Sequence, residues 1–340
     1  MTKDPPPLIS VILPVYNCAA YVSDTIYSIL NQTIQDFEII VIDDCSTDNT
    51  VDIIQNFDDK RILILLKKQN MGLIDSLNIG FKQAKGKYIA RMDGDDINHL
   101  QRFEKQLNIL QNNSGIKVCG CWLQEFGDRD KIIKHKEFHD QIVASLLVNC
   151  SMSLGSVMMC KEWSSSFKFD STKKHVEDYD LWSRVSWEGK LYNIQEVLYF
   201  YRRHNSQVSR LFLSLQREGD IKIKLFLFKK IKFDRNKYTH YFIEKMLSET
   251  QVITVKDFKK YRDWLGNIVQ LNQKQRVFEP TEFKKVIHEM QTALIFKIYF
   301  KDTNIGVTKN WRMKALYYLP YDQFIMVIKS KVKEIFKRKR

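Results

Sequence analysis

The chain has 340 residues, of which 44% are hydrophobic and 12% aromatic, and its formal net charge is +14. This composition excludes an intrinsically disordered protein, and the length suffices for one large domain or two moderate ones. The longest apolar runs, ILILL and KLFLF, are too short to span a bilayer, and the start MTKDPPPLIS has no apolar stretch of signal-peptide length. We therefore expect a cytosolic protein.

The charge is unevenly distributed along the chain. Residues 1–210 contain 25 Lys and Arg against 27 Asp and Glu, whereas residues 211–340 contain 29 against 13. Such an asymmetry favours two functional parts, one of which faces an anionic partner. We predict a first domain over residues 1–210 and an appended, basic and mainly helical region over residues 211–340.

Strand and helix patterns alternate along the first region. Buried strands are predicted over residues 8–13, 37–42, 61–66 and 87–92. Helical spacing follows the first strand at Val22, Ile26, Ile29 and Leu30, and follows the third strand at Leu73, Leu77 and Phe81. After the second strand, Ser46 and Asp48 are typical of a helix start. Repeated strand–helix–strand units predict an α/β fold with a mostly parallel sheet covered by helices.

Three polar clusters directly follow predicted strands. They are residues 14–17, the pair Asp43 and Asp44, and residues 93–96. Parallel sheets bind ligands at the carboxyl ends of their strands, where the connections diverge. We therefore expect the three clusters to meet at one edge of the sheet and to form a site.

The acidic residues of these clusters suit different ligands. Asp93 and Asp95 form a DxD pattern whose hard oxygen atoms suit Mg²⁺ or Mn²⁺, although a lone DxD is also typical of a solvated turn. Asp44 can accept a hydrogen bond from the ring N–H of a nucleobase, with Tyr16 as a stacking face, or it can cap the helix predicted near Ser46. Both alternatives remain open for each group.

A third acidic group lies in VEDYDLWSRV, residues 176–185. The pattern predicts a helix whose acidic first turn interacts favourably with the helix dipole. Alternatively, one of its carboxylates acts as a general base toward a substrate hydroxyl, a role that favours a raised pKa.

Several segments together resemble family-2 glycosyltransferases. These are SVILPVYNCAAYVSDTIYSILNQT, FEIIVIDDCSTDNT, NMGLIDSLNIGFKQAKGKYIARMDGDD, EDYDLW and EVLYFYRRHNSQVS, in this order over roughly residues 8–210. The resemblance implies an inverting, nucleotide-sugar-dependent enzyme of the GT-A fold, of the type that builds bacterial surface polysaccharide, capsule or lipopolysaccharide. It does not extend into the C-terminal third.

The resemblance also implies roles for individual residues. Asp178 matches the catalytic base, and Glu177 beside it helps to order the acceptor. Asp93 and Asp95 match the residues that bind the ribose and, through Mn²⁺ or Mg²⁺, the diphosphate. The other donor-side matches are Pro14, Tyr16, Asp44, Asn70, Gly72 and Arg91. His204 matches a histidine near the diphosphate and metal, or it is a surface-loop histidine.

Two departures from the family pattern limit what the resemblance implies. Many relatives have a His at the position of Leu154 in SMSLGSVMM, so the acceptor pocket is in doubt. The QxxRW signature of processive members is absent, which favours transfer of one sugar per encounter. The implied partners are a UDP-linked sugar and a saccharide or lipid-linked acceptor. The main alternative is a catalytically silent nucleotide-sugar-binding or scaffold protein.

The last segment, FIMVIKSKVKEIFKRKR, predicts a basic amphipathic helix. Its apolar face would contain Phe324, Ile325, Ile328, Val332, Ile335 and Phe336, and its charge comes from Lys329, Lys331, Lys333 and residues 337–340. Such a helix can lie on the anionic inner face of the cytoplasmic membrane, or it can dock on the domain with a solvated Lys face. A nucleic-acid partner is not expected, because the basic residues alternate with long aliphatic ones and no recognition motif is present.

The six cysteines show no paired-ligand spacing. Cys119 and Cys121 alternate onto one face of a predicted strand, and we expect them to pack in the core rather than to bind a metal ion.

Overall fold

A computed structural model describes residues 5–204, 212–248, 252–300 and 307–338, except that it describes no side chain for Asp322 or for residues 331–338. The chain divides into two compact units, Met1–Asp220 and Ile221–Arg340, called here the N-terminal and C-terminal units. That residues 1–210 form the catalytic part and residues 211–340 a part that faces an anionic partner stays a prediction.

The N-terminal unit is built on one nine-stranded sheet with the spatial order β3-β2-β1-β4-β8-β6-β9-β5, and β7 pairs with β6. The strands are β1 (Ile9–Val15), β2 (Phe37–Asp43), β3 (Ile62–Leu66), β4 (Tyr88–Arg91), β5 (Ile97–Asn98), β6 (Ile116–Gly127), β7 (Lys131–Ile133), β8 (Met158–Cys160) and β9 (Lys190–Arg203).

The longest strand pairings are parallel, which confirms the predicted fold class. Strands β3, β2, β1 and β4 form a continuous parallel block, and β6 and β9 are also parallel to each other. The short strand β8 is antiparallel to both β4 and β6, and β5 is antiparallel to β9. All seven residues of β1 are buried, as expected for a central strand with helices on both faces.

Seven helices lie within the N-terminal unit among the described residues. They are α1 (Val22–Leu30), α2 (Thr50–Gln55), α3 (Leu73–Gln83), α4 (Arg102–Asn112), α5 (His139–Ser145), α6 (Lys161–Ser164) and α7 (Glu177–Val185), and a 3₁₀ turn spans Leu154–Ser156. The predicted helices over VSDTIYSIL and EDYDLWSRV are therefore present. Cys119 and Cys121 are both fully buried in β6, as expected for core residues.

The helix after β2 begins later than the sequence predicts. The prediction placed its start near Ser46, but α2 begins at Thr50. The hydroxyl of Ser46 instead accepts a hydrogen bond from the Asn17 N–H at 2.9 Å, and Asp48 accepts one from the Ala19 N–H at 3.1 Å. Ser46 and Asp48 thus join the loop after β2 to the loop after β1, and Asp48 also accepts the N–H of Thr50, the first residue of α2, at 3.0 Å.

The C-terminal unit is helical over its described residues. Its helices are α8 (Leu213–Phe228, which contains the division between the units), α9 (His240–Leu247), α10 (Val255–Gln275), α11 (Pro280–Phe300), α12 (Lys309–Leu316) and α13 (Tyr321–Arg338). Aromatic rings form much of its interior: Trp264 is fully buried and contacts Phe228, Phe233 and Tyr261. None of the described helices combines the length and the hydropathy that a bilayer-spanning segment requires.

Candidate functional site

The three polar clusters lie at one edge of the sheet. In the parallel register, Val15 at the end of β1 is opposite Asp43 at the end of β2, and Ile12 is opposite Arg91 at the end of β4. The carboxyl ends of β1, β2 and β4 are therefore neighbours, and the residues that follow them share a rim. Tyr16, directly after β1, exposes 50% of its surface there, so its ring is accessible for stacking.

Asp44 is 4% exposed, yet its carboxylate has three partners. Oδ1 accepts the N–H of Met71 at 2.8 Å and lies 2.6 Å from Nζ of Lys67, and Oδ2 accepts the N–H of Gly72 at 2.7 Å. A carboxylate offers about four lone-pair positions. Asp44 therefore does not cap a helix; it holds the segment before α3 and keeps one position for a further donor.

The segment that Asp44 holds contains two of the predicted donor-side residues. Gly72 has φ of +87°, a left-handed backbone conformation that favours glycine, and it directly precedes α3. Asn70 lies two residues earlier and is exposed. The buried face of α3 differs from the predicted one at its first turn. Ile74 and Leu77 are buried, whereas Leu73, which was predicted on the same face as Leu77, is 37% exposed.

Asp43 provides a second acceptor beside Asp44. Its Oδ2 accepts the Ser46 N–H at 3.0 Å, which shapes the loop after β2. Its Oδ1 is buried and has no hydrogen-bond partner among the described residues. A buried carboxylate oxygen without a partner is costly, so this atom is suited to a ligand donor.

The loop after β4 concentrates three carboxylates, those of Asp93, Asp95 and Asp96. Asp93 forms an ion pair with the buried Arg91, and Oδ2 of Asp95 lies 2.8 Å from Nε2 of His204. Burial, together with the charge of Asp93, raises the pKa of Asp95. Burial and its two acidic neighbours also raise the pKa of Asp96 well above its ordinary value.

This acidic loop fits a divalent cation that is held partly by its ligand. Within the ranges that the structure describes, no three His, Cys, Asp or Glu side chains are grouped closely enough to hold a metal ion by themselves. Mg²⁺ and Mn²⁺ sites often use only one or two carboxylates and complete their coordination with water and phosphate oxygens. Asp93 and Asp95 provide such oxygens, and the repulsion that raises the pKa of Asp95 is what a bound cation would relieve.

His204 lies at this loop rather than on a surface loop. Its side chain is 18% exposed, and its ring contacts that of Tyr21 with 4.9 Å between centroids. The contact with Asp95 brings His204 to the DxD pattern. The rest of the matched segment, residues 205–209, lies outside the described residues.

Gly155 brings the segment SMSLGSVMM against the acidic loop. A Cβ atom at this position would lie 2.7 Å from Oδ2 of Asp93 and 2.9 Å from Nη1 of Arg91. Only glycine permits this close approach. Leu154, which stands where many relatives have a His, is 5% exposed in the same turn.

The third acidic group begins α7. Oδ1 of Asp178 accepts the Tyr179 N–H at 2.6 Å, and Oδ2 lies 3.6 Å from Sγ of Cys150. The helix is anchored by buried side chains, because Trp182 donates its indole N–H to the carbonyl of Met152 at 2.9 Å. Asp178 is thereby held on the first turn of a fixed helix.

The acids of α7 are electrostatically linked to the donor side. Burial raises the pKa of Asp178, and the positive charge of Arg91 partly opposes this shift. Burial and the charge of Asp178 raise the pKa of Glu177 to about 7, while Arg91 lowers it and Asp93 raises it. The charges of Arg91 and Asp93 therefore reach these acids, which supports the prediction that the acidic groups at the strand ends and on α7 form one site.

The sequence reasoning missed several residues of this site. Lys67 neutralises Asp44 and also lies 2.7 Å from Asp75, and the hydroxyl of Tyr199 accepts the N–H of Asp93 at 3.1 Å. Lys67 is the first residue after the apolar run of β3, at the edge where ligands were expected, and this position was the available signal. No sequence signal distinguishes Tyr199 from its aromatic neighbours in VLYFYRR.

Comparison with known proteins gives the site a family. The family model described as "Glycosyl transferase family 2" matches residues 10–178. An uncharacterized glycosyltransferase of Haemophilus influenzae is 36% identical over 233 residues, which cover 64% of this chain and 72% of the relative. The Escherichia coli UDP-Glc:alpha-D-GlcNAc-diphosphoundecaprenol beta-1,3-glucosyltransferase WfaP is 30% identical over 218 residues, covering 63% of this chain and 85% of the relative.

The fold is also found in solved structures. The crystal structure of Staphylococcus aureus TarS residues 1–349 in complex with UDP-GlcNAc is similar with a TM-score of 0.55 and 15% sequence identity, covering 89% of this chain and 97% of that one. At this identity the similarity concerns the fold alone, and it agrees with the predicted GT-A architecture. Together with the sequence relatives, these findings establish that the chain belongs to glycosyl transferase family 2 and is a glycosyltransferase.

Proposed function

We propose that the chain transfers one sugar from a UDP-linked donor to a hydroxyl of a saccharide or lipid-linked acceptor during synthesis of surface polysaccharide or lipopolysaccharide. The observation that most supports the proposal is that Asp44 and Asp95 follow neighbouring strands at one edge of the sheet, where Arg91, whose charge acts on Asp178, ends β4. The printed name of WfaP, with a UDP-sugar donor and a diphosphoundecaprenol-linked acceptor, supports this choice of substrate classes.

The donor nucleotide is proposed to bind along the rim. The base stacks on Tyr16 after Pro14 and donates its ring N–H to Asp44, whose carboxylate keeps a free lone-pair position. The segment containing Asn70 and Gly72 is fixed by that same carboxylate and borders the base. Asp93, held by Arg91, is positioned for the ribose and the diphosphate.

The leaving group is a nucleoside diphosphate, which gains negative charge as the glycosidic bond breaks. A bound Mn²⁺ or Mg²⁺ supplies Lewis-acid neutralisation of that charge. Asp95 and Asp93 are proposed to hold the ion, and His204, whose Nε2 lies 2.8 Å from Oδ2 of Asp95, would stand beside them. Arg91 stays protonated beside Asp93 and limits the negative charge of the loop.

Asp178 is proposed to be the general base. It takes the proton of the acceptor hydroxyl as that oxygen attacks the anomeric carbon from the face opposite the leaving group, which inverts the configuration. Its raised pKa brings the carboxylate closer to working pH, where proton transfer is most efficient. Glu177, with a pKa of about 7, is proposed to accept a hydrogen bond from the acceptor and order it.

A panel of nucleotide sugars tests this proposal. Each donor is incubated with the protein and Mn²⁺, with EDTA as the matched control, and released nucleoside diphosphate is measured. Hydrolysis of a UDP-sugar in Mn²⁺ that stops in EDTA is expected. Binding of the donor without any hydrolysis or transfer would instead favour the catalytically silent alternative, and hydrolysis unaffected by EDTA would remove the cation from the proposal.

We also propose that the C-terminal unit docks on an anionic membrane surface. In α13, Val327 and Gln323 are buried, whereas Ile328 is 41% exposed and Lys329 is exposed. One face of α13 thus packs within the unit, as expected for a docked helix. Another face presents apolar and basic side chains outward, as expected for a helix on a membrane surface. The structure does not describe the side chains of several residues predicted for this helix, namely Val332, Ile335, Phe336 and the basic residues from 331 onward. Residues 339–340 lie wholly outside the described part.

Liposome flotation tests the docking proposal. Binding to vesicles with anionic lipid and weak binding to neutral vesicles are expected, since each basic residue near an anionic surface contributes about 1 kcal/mol. Equal binding to both compositions would contradict an electrostatic mechanism. This docking suits an enzyme whose acceptor is lipid-linked and would place it at the inner face of the cytoplasmic membrane.

A further inference from the structure

The end of strand β9 is bonded to the acidic loop after β4. The backbone N–H of Arg202 donates to Oδ1 of Asp96 at 2.7 Å, and its side-chain Nε donates to the carbonyl oxygen of Asp95 at 2.8 Å. Strand β5, directly after the loop, pairs with β9 through Ile97 and Phe200. The loop that contains the DxD pattern is therefore fixed from the β9 side as well as by its own strand.

The guanidinium of Arg202 is itself held from several directions. Its Nη2 donates to Oδ2 of Asp24 in α1 at 3.0 Å. Its Cζ lies 4.9 Å from the ring centroid of Tyr21 and 4.7 Å from that of Phe126 in β6. The side chain is only 17% exposed, so these contacts leave it little freedom. Groups from α1, β6 and the acidic loop thus converge on one side chain.

This set of contacts requires arginine rather than any cation. The planar guanidinium can stack on aromatic rings while two of its nitrogen atoms donate in fixed directions, whereas a lysine ammonium is a point charge on a flexible stem. One nitrogen here reaches the Asp95 carbonyl and another reaches Asp24. A lysine would keep the charge but could not make both bonds and the stacking contacts together.

We propose that Arg202 is a positioning residue, which fixes the backbone of Asp95 and thereby orients the carboxylates that bind the divalent cation. The inference rests on the proposed function, because it assumes that Asp95 and Asp93 hold the cation. In this proposal Arg202 acts through the Asp95 carbonyl and through the position of the end of β9, which His204 directly follows. Removing a group that orients a metal ligand typically lowers metal affinity 10–100-fold.

The matched control is the neighbouring residue of the same strand. Arg203 pairs with Glu125 at 3.6 Å, and its Cζ lies 5.7 Å from the ring centroid of Tyr201. Its side chain is 18% exposed, almost the same as that of Arg202. Arg203→Lys therefore removes a similar guanidinium from the same strand while leaving the bond to Asp95 in place.

The test measures Mn²⁺ affinity in the presence of a fixed concentration of UDP, by electron paramagnetic resonance of free Mn²⁺, in the full-length wild type, Arg202→Lys and Arg203→Lys, with protein-free UDP as the blank. We expect Arg202→Lys to raise the Kd for Mn²⁺ about tenfold and Arg203→Lys to leave it unchanged, with similar melting temperatures for the two variants. Asp24→Asn, at a side chain that is 60% exposed, should raise the Kd by a smaller factor and provides a variant with little risk to folding.

The possible outcomes separate this inference from the proposed function. If Arg202→Lys binds Mn²⁺ as tightly as the wild type, the positioning role is overturned. The same holds if Arg203→Lys weakens binding as much as Arg202→Lys does. Both results leave the proposed function intact. A wild-type protein that binds no Mn²⁺ in the presence of UDP beyond the protein-free blank overturns both the inference and the cation-dependent part of the proposed function. A selective loss in Arg202→Lys supports the inference.

Discussion

The two units of the molecule bury different kinds of side chain. Among the described residues of the N-terminal unit, the buried charged ones are Asp43, Asp44, Arg91, Asp96, Arg102, Glu125 and Asp180. In the described part of the C-terminal unit, the buried polar residues are Asn272 and Gln323, and neither is charged. Burying a charge is costly unless it is paired. Glu125 and Asp180 are paired with arginines, whereas one carboxylate oxygen of Asp43 and one of Asp96 are buried without a hydrogen-bond partner among the described residues. These two oxygens lie at the end of β2 and in the loop after β4, which favours a ligand at that edge of the sheet.

The units also use their small polar residues differently. In the C-terminal unit, Thr239, Thr254 and Thr308 each accept a backbone N–H at the start of a helix. In the N-terminal unit, the residues that precede α1, α3 and α7 provide no such side-chain cap. There the small polar residues join loops, as Asn17 does by accepting the N–H of Thr47 at 2.8 Å. Polar residues thus stabilise individual helices in one unit and the shape of the site in the other.

The largest effect is expected from the proposed base. Asp178→Asn should lower sugar transfer by about 10²–10⁴-fold, because the acceptor hydroxyl loses its general base. Calorimetric titration with UDP and Mn²⁺ should give wild-type affinity. Turnover is measured with the donor identified from the nucleotide-sugar panel.

The control for this prediction lies in the same helix. Asp180 is also buried, but it pairs with Nε of Arg184 at 2.8 Å. Asp180→Asn should therefore lower stability while folded protein keeps most of its turnover. Wild-type turnover in Asp178→Asn, or equal losses in the two variants, would contradict the assignment of the base.

A large stability effect is expected at Lys67. Lys67→Met removes the cation between Asp44 and Asp75, and breaking a buried ion pair typically costs about 3–5 kcal/mol. The neighbouring Lys68 is exposed, so Lys68→Met should change the free energy of unfolding by less than about 0.5 kcal/mol. Urea unfolding of both variants measures the difference. Equal changes would mean that the buried charges at the rim are not stabilised by pairing.

Glu177 should make stability depend on pH. Its pKa is about 7 in the folded protein and 4.5 in its ordinary state. Between these values the folded state holds a proton that the unfolded state has released. The contribution of Glu177 to the free energy of unfolding is therefore most favourable below pH 4.5 and is lost as pH rises toward 7. The loss is on the order of 3–4 kcal/mol, because the two pKa values differ by about 2.5 and each pKa unit corresponds to about 1.4 kcal/mol.

Urea unfolding across this pH range, in EDTA, compares the wild type with Glu177→Gln. The variant has no titrating carboxyl at this position, so its stability should fall less steeply with pH. Asp178, whose pKa is also raised, contributes to the slope that remains. Parallel curves for the two proteins would show that Glu177 titrates normally.

The smallest effect per residue is expected in the C-terminal unit. Replacing residues 337–340 by Gln should weaken binding to anionic liposomes by about fivefold per charge, since each basic residue contributes about 1 kcal/mol. The control removes four exposed charges from the N-terminal unit, at Lys60, Lys68, Lys82 and Lys85. If both variants lose the same affinity, the membrane contact is a general effect of net charge and not a property of the C-terminal unit.

The parallel strands and their acidic ends could be predicted from the sequence because both signals are local. Five or more consecutive apolar residues indicate a strand buried on both faces, and the acid that follows marks its carboxyl end. FEIIVIDD illustrates this: the predicted strand over residues 37–42 is observed as Phe37–Asp43. The family motifs then identified several such acidic strand ends in a fixed order along the chain. This ordered set is more specific for the family than any single acidic strand end.

The remaining features depend on contacts between residues distant in sequence. Arg102 is fully buried in an otherwise ordinary amphipathic helix, where its Nη2 donates to the carbonyls of Arg91 and Val157 at 2.8 and 3.0 Å. In α13, the spacing did not reveal that Val327 faces inward and Ile328 outward. Helical periodicity defines a stripe, but tertiary packing decides which part of it is covered.

A crystal structure with UDP and Mn²⁺ tests the central claim most directly, namely that acids distant in sequence form one donor site. The account predicts the base against Tyr16 with its ring N–H at Asp44, the ion at Asp95, and Asp178 on the side of the bound diphosphate where an acceptor can approach. Nucleotide bound away from this rim, or Asp178 separated from it, would contradict the account.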